Sequence, residues 1–141
     1  MSVKIKGLQQ VVKNINKAVG VITEAGVDGV IQAGSLVRRE GQIQTPVETG
    51  NLVASWYGPT IYKVNNVDRI IALIGLTAFY APFVHEMVGA NFTGPRPESK
   101  SPARQKGGKP TAKAKFLEDP LKANATKIIE LISLSMSGRL K

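Results

Sequence analysis

The residues that could do chemistry are few, and nothing in their spacing makes them converge. His85 and Glu86 set the one imidazole of the chain beside a carboxylate, a combination used for metal binding or proton transfer. A zinc helix of the His-Glu-x-x-His kind needs a second histidine one turn further on. None exists, so a structural or interface role is expected for His85. The ten carboxylates are scattered, and spacing does not say whether Glu48 and Glu86 are neighbours in space. Ser55 lacks the Gly-x-Ser-x-Gly elbow of a serine nucleophile. "GLQQVVKNINKAVG" holds no phosphate-binding loop. "KGGK" at 106–109 follows no strand and opens no helix at once. Cysteine is absent, which removes thiol nucleophiles, disulfides and thiolate metal sites. The expectation is a protein that is not an enzyme, with no catalytic residue, metal or cofactor.

Charge is the stronger signal. The chain has 141 residues and a formal charge of +9. Residues 93–115 hold Arg96, Lys100, Arg104, Lys106, Lys109, Lys113 and Lys115 against the single acid Glu98, so this stretch carries +6 and the rest only +3. A local excess of this kind has three readings: a solvated connection, a contact with the phosphates of nucleic acid without sequence readout, or a dock for an acidic protein. No aromatic residue lies between Phe92 and Phe116, so stacking on bases is not expected of it. Arg96, Lys100, Arg104, Lys106, Lys109 and Lys113 are the candidate contacts to DNA or a partner.

The elements around these residues follow from periodicity. Leu8, Val12, Ile15, Val19, Ile22, Val30, Ala33 and Val37 recur at close to 3.6 residues, which predicts a helix over 8–44, roughly 55 Å long at 1.5 Å per residue. Gly20, Gly26, Gly29 and Gly34 each cost about 1 kcal/mol against Ala in a helix. They mark either a break near 20–29 or a face for close approach of another backbone. "TIYKV" (60–64) and "RIIALIG" (69–75), joined across Asn65-Asn66, predict an antiparallel hairpin. "FYAPFVHEMV" (79–88) is a third strand, at an edge or interrupted because of Pro82, or a short helix. Residues 89–115, with four prolines and few large apolar side chains, read as a long flexible loop. Asp119-Pro120 reads as an N-cap and first helical residue, with Leu121, Ala125, Ile128, Ile132 and Met136 as the apolar face that follows. Trp56, Tyr57 and the Phe79, Tyr80, Phe83 cluster are expected in the core.

Between the first helix and the hairpin lies "TPVETGNLVASW" (45–56). Pro46 stops the helix, Thr49 caps a short turn and Gly50 allows the sharp bend. Leu52 and Trp56 anchor this structural corner and aim the hairpin back along the helix. The expected fold is thus α+β: a long N-terminal helix and a C-terminal helix packed on a small antiparallel sheet, with a long basic loop, in one domain over 1–141. The longest apolar run, "IIALIGL", is far short of the roughly 20 residues that span a bilayer, and no secretory signal is visible, so a soluble protein without membrane contact is expected.

Four pieces in this order, "VKIKGLQQVVKNI", "TPVETGNLVASW", "IALIGLTAFYAPFVHE" and "KAKFLEDPL", resemble the tail-completion, or neck, proteins that join head to tail in tailed bacteriophages. The likeness rests on Pro46, Thr49, Gly50, Leu52 and Ser55. It continues at Gly75, Tyr80, Ala81, Val84 and Glu86, then at Lys115, Phe116 and Leu117, and so covers nearly the whole chain. His85 and the length of the 89–115 loop depart from the family pattern. The resemblance implies a structural virion protein forming a homo-oligomeric ring, a hexamer or dodecamer, at the head–tail junction. Its implied partners are connector or head-completion proteins, tail terminator or tail tube proteins, and the backbone of packaged DNA. It would pass through the host cytoplasm during assembly. The alternative is a small basic nucleic-acid-binding protein, which needs a recognition helix rich in basic and amide residues that the predicted helices do not supply.

Overall fold

The computed structural model describes residues 7–47, 50–64, 69–92 and 111–139. The expected α+β class is what it shows: a long N-terminal helix, a C-terminal helix and a two-stranded antiparallel sheet. Helix α1 runs unbroken over Leu8–Gln44. A short turn α2 (Asn51–Ala54) leads into β1 (Trp56–Val64) and β2 (Arg69–Leu76). Then come α3 (Ala81–Glu86), α4 (Glu118–Ala123) and α5 (Ala125–Gly138).

The glycines of α1 do not break it; they let other elements approach. A Cβ at Gly29 would lie 2.8 Å from the Ile132 Cα of α5, and one at Gly34 would lie 2.8 Å from the Pro59 Cβ of β1. At Gly41 it would meet the Trp56 ring at 2.4 Å. Close backbone approach is therefore the purpose of these residues, and the glycine-bearing face is used up inside the molecule. Helix α5 runs antiparallel to α1: the Phe116 carbonyl sits at Gly41, Ile132 at Gly29 and Ser135 at Ala25, whose carbonyl accepts from the Ser135 hydroxyl at 2.8 Å.

A hairpin alone is marginal in water, so this one needs a helix against one face. Strand β2 shows the alternation that provides it. Ile70 and Ile74 turn toward α1, reaching within 3.4 Å of where Cβ atoms at Gly26 and Gly34 would stand. Ile71 and Leu73 stay exposed on the other face with Tyr62. The register pairs Tyr57 with Gly75 and Thr60 with Leu73, leaving Gly58 and Pro59 in a bulge. The Arg38 guanidinium donates to the carbonyls of Gly58 (2.7 Å) and Trp56 (3.3 Å), so α1 supplies the hydrogen bonds that the bulged stretch loses from the ladder.

Three expectations need correction. Helix α4 begins at Glu118, not after an Asp119 cap, and Pro120 is buried in its first turn. The helix then breaks at Asn124, whose side chain donates to the Pro120 carbonyl at 2.8 Å, and α5 restarts at Ala125. Leu121 and Ala125 are exposed as a result, while Ile128, Ile132 and Met136 stay half-buried. Phe79 and Phe83, expected in the core, are 87% and 71% exposed, because α3 turns Ala81, Val84 and His85 inward and leaves Phe83 on its outer side. Within the 89–115 stretch, expected to be flexible, residues 111–115 form no helix or strand but are held in place: Ala112 is buried, and the Lys113 and Lys115 amides bond to α1 and α3.

Candidate functional site

The corner is built from residues that the sequence marks one by one. Thr45 ends α1 in an extended conformation (ψ 129°), as a residue before proline must. Its amide and its hydroxyl both donate to the Gly41 carbonyl, at 2.9 and 2.7 Å. The same hydroxyl accepts the indole N–H of Trp56 at 2.9 Å. Thr45 is the one buried polar residue of the described core, and it is fully satisfied. Gly50 holds a left-handed φ of 88° at the capping position of α2, where a side chain would be strained. Thr49, expected to cap this turn, lies outside the described residues, and Pro46 stands just past the helix end.

Leu52 and Trp56 then enter one cluster with Ala81 and Phe116, edged by Tyr80, Val84 and Leu117. The Trp56 and Phe116 rings meet edge-on at 6.3 Å, and His85 meets Phe116 from the other side at 5.1 Å. His85 is therefore a wall of this cluster. Its Nδ1 lies 2.7 Å from Glu86 Oε1, while Nε2 is buried without a hydrogen-bond partner among the described residues.

Outside the cluster a chain of ion pairs straps residues 111–119 to α3. Lys115, with a left-handed φ of 57°, reaches Glu86 at 2.5 Å and Glu118 at 3.4 Å. Lys122 pairs with Glu118, and Lys113 with Asp119 at 2.7 Å. Backbone bonds run in parallel: the Lys113 amide donates to Gln44, the Lys115 amide to His85, and the Thr111 hydroxyl to Ile43. The Lys115 hydrogen bond, then that of His85, holds Glu86 below the usual carboxylate range. Lys122, then Lys115, lowers Glu118, and Lys113 lowers Asp119. The Glu86 hydrogen bond raises Lys115 above an ordinary lysine.

Of the six candidate basic contacts, Arg96, Lys100, Arg104, Lys106 and Lys109 lie outside the described residues. Lys113 is placed, and its charge is matched by Asp119. By composition, 93–110 holds five basic side chains against the single carboxylate of Glu98. The described residues on either side of it, 88–92 and 112–115, line one shallow cleft.

Sequence reading missed two sets of residues. One is the strap: Lys113, Lys115 and Asp119 are close in sequence, but Glu86 joins them only where Lys115 reaches α3. The other is the exposed apolar surface: Phe79, Phe83, Met87 and Val88 around α3, and Leu8, Val11, Val12, Ile15 and Val19 on the first half of α1. Among the described residues no group of three or more metal-ligating side chains comes together, and no helix is long and apolar enough to cross a membrane. No protein-family model, curated protein or solved structure matches the chain.

Proposed function

We propose that this chain is a structural protein of a tailed-phage neck, forming a homo-oligomeric ring that joins the DNA-filled head to the tail. The observation that carries the reading is the convergence of the three motifs behind the family resemblance. Leu52 and the neighbouring Trp56, then Tyr80, Ala81 and Val84, then Phe116 and Leu117, are far apart in sequence yet form a single cluster. Motifs that meet in one core constrain each other, so their order and spacing weigh more together than separately. The exposed apolar groups at both ends of the molecule suit a subunit completed by neighbours. In a closed ring these contacts run head to tail between different patches.

Native mass measurement of the purified protein, with imaging of virions, tests the reading. A closed assembly of six or twelve chains is expected, together with filled heads and unattached tails when the gene is deleted. A chain that stays monomeric up to high concentration, and normal virions without it, would overturn the proposal.

A further inference from the structure

Among the described residues, the first half of α1 is an arm without a partner. Every residue from Gly7 to Gly20 is exposed, and Leu8, Val11, Val12, Ile15 and Val19 are each between 49% and 56% accessible. Little local holds this arm helical beyond the exposed Gln10–Asn14 hydrogen bond. Gly7 at the capping position offers no side-chain bond, the first turn has no acid, and the valines and Gly20 are weak helix formers. Helices of this kind draw their stability from packing on an apolar face.

The spacing along that face is that of a helix seam. Leu8, Val12, Ile15, Val19 and Ile22 alternate steps of four and three, the heptad repeat, with Val12 and Val19 at one core position and Leu8, Ile15 and Ile22 at the other. From Ala25 onward the helix switches to small buried residues that contact its own chain, so the seam ends where the internal packing begins.

Charge selects the occupant. Two copies of a +9 chain repel each other unless they meet where neither is charged. The positions flanking the seam are Gln9, Val11, Asn16, Ala18 and Thr23, all uncharged. Lys13 and Lys17 sit on the back of the helix, where Gln10 also donates to Asn14. An acidic partner would find nothing to match on the seam, whereas a second copy brings amides and apolar groups and no like charge. We propose that this face is a self-pairing surface: the α1 arms of two copies pack seam to seam over Leu8–Ile22. At about 22 Å, the seam is short for an independent coiled coil, so the pairing is reversible on dilution and is one contact within a larger assembly. Because the same patch meets itself, this contact is two-fold and joins subunits in pairs, beside the head-to-tail contacts that close a ring; it relies on the oligomeric reading above for the size of the assembly but not for the contact.

The absence of native cysteine makes the test direct. Ile15 lies at the middle of the seam: it meets Ile15 of the other copy when the arms run parallel, and Val12 of the other copy when they run antiparallel, because unlike core positions then face each other. Under mild oxidation, Ile15→Cys should give at least tenfold more disulfide-linked dimer than Lys17→Cys on the back of the helix. For antiparallel arms the excess should appear instead in a mixture of Val12→Cys and Ile15→Cys chains; yields no higher than that of Lys17→Cys in both tests would overturn the proposal. Independently, Ile15→Asp should weaken self-association at least tenfold by sedimentation and lower helix content by circular dichroism; unchanged association would also overturn it. A closed ring by native mass without either cross-link would sink the arm contact and leave the neck reading standing. A cross-linked dimer that forms no ring would do the reverse.

Discussion

The two halves of α1 reverse the usual rule of burial. From Ala25 to Gly41 the buried residues are Ala25, Gly26, Gly29, Ala33, Gly34, Val37 and Gly41, nearly all small. From Leu8 to Val19 the apolar residues are larger and stand in solvent. Small groups are buried because α5, Pro59 and Trp56 come so close that a single Cβ would collide with them. Large groups are left out because no described element reaches the arm. One helix thus carries a half committed to its own fold and a half held available to another surface.

The largest effect that would sharpen this contrast is expected at the corner. Trp56→Ala removes the ring that packs on Gly41 and Phe116 and leaves the buried Thr45 hydroxyl without its donor. It should lower unfolding free energy by about 3–5 kcal/mol in chemical denaturation followed by circular dichroism. An effect below about 1 kcal/mol would mean that the corner is not the anchor of the fold. Next come two identical substitutions with opposite signs. Gly41→Ala drives a methyl into the indole and should destabilise by about 1–3 kcal/mol. Gly20→Ala meets nothing within 4 Å and should stabilise by up to about 1 kcal/mol through helix propensity. If both changed melting temperature in the same direction, the division of α1 into two halves would fail.

The smallest effect belongs to the strap. Glu86, Glu118 and Asp119 have depressed folded-state values, so their contribution is present at neutral pH and is lost as pH falls through those values, below about pH 4. Lys115 is raised, so its contribution is present below the ordinary lysine value and is lost as pH rises through the folded one, above about pH 10.4. Hydrogen-exchange protection of the Lys113 and Lys115 amides should therefore fall in acid before that of the α1 core. Glu86→Gln should reduce this pH dependence at Lys115. Equal loss of protection in strap and core would show that the ion pairs do not hold the segment separately.

Much of the fold was legible because its signals are local. The stripe on α1, the two β-rich runs and the Thr45-Pro46 stop each act within a few residues, and each appears where periodicity places it. Leu52 and Trp56 were likewise legible as anchors, being bulky apolar groups at a punctuated corner. Phe79 and Phe83 were not, since hydrophobicity alone does not say which way a short helix faces. The strap was illegible for a different reason: Glu86 and Lys115 are 29 positions apart, and only the docking of Phe116 beside His85 brings them together.

The sequence by itself determined the α+β class, the length of α1, the hairpin and the confinement of excess positive charge to one stretch, because propensity, periodicity and composition act locally. Only the tertiary structure decided that Gly29, Gly34 and Gly41 are contact points and not breaks, that the last helix divides at Asn124, and that no described element packs on the arm of α1. Those outcomes depend on how closely distant segments approach, and a linear pattern does not encode that distance.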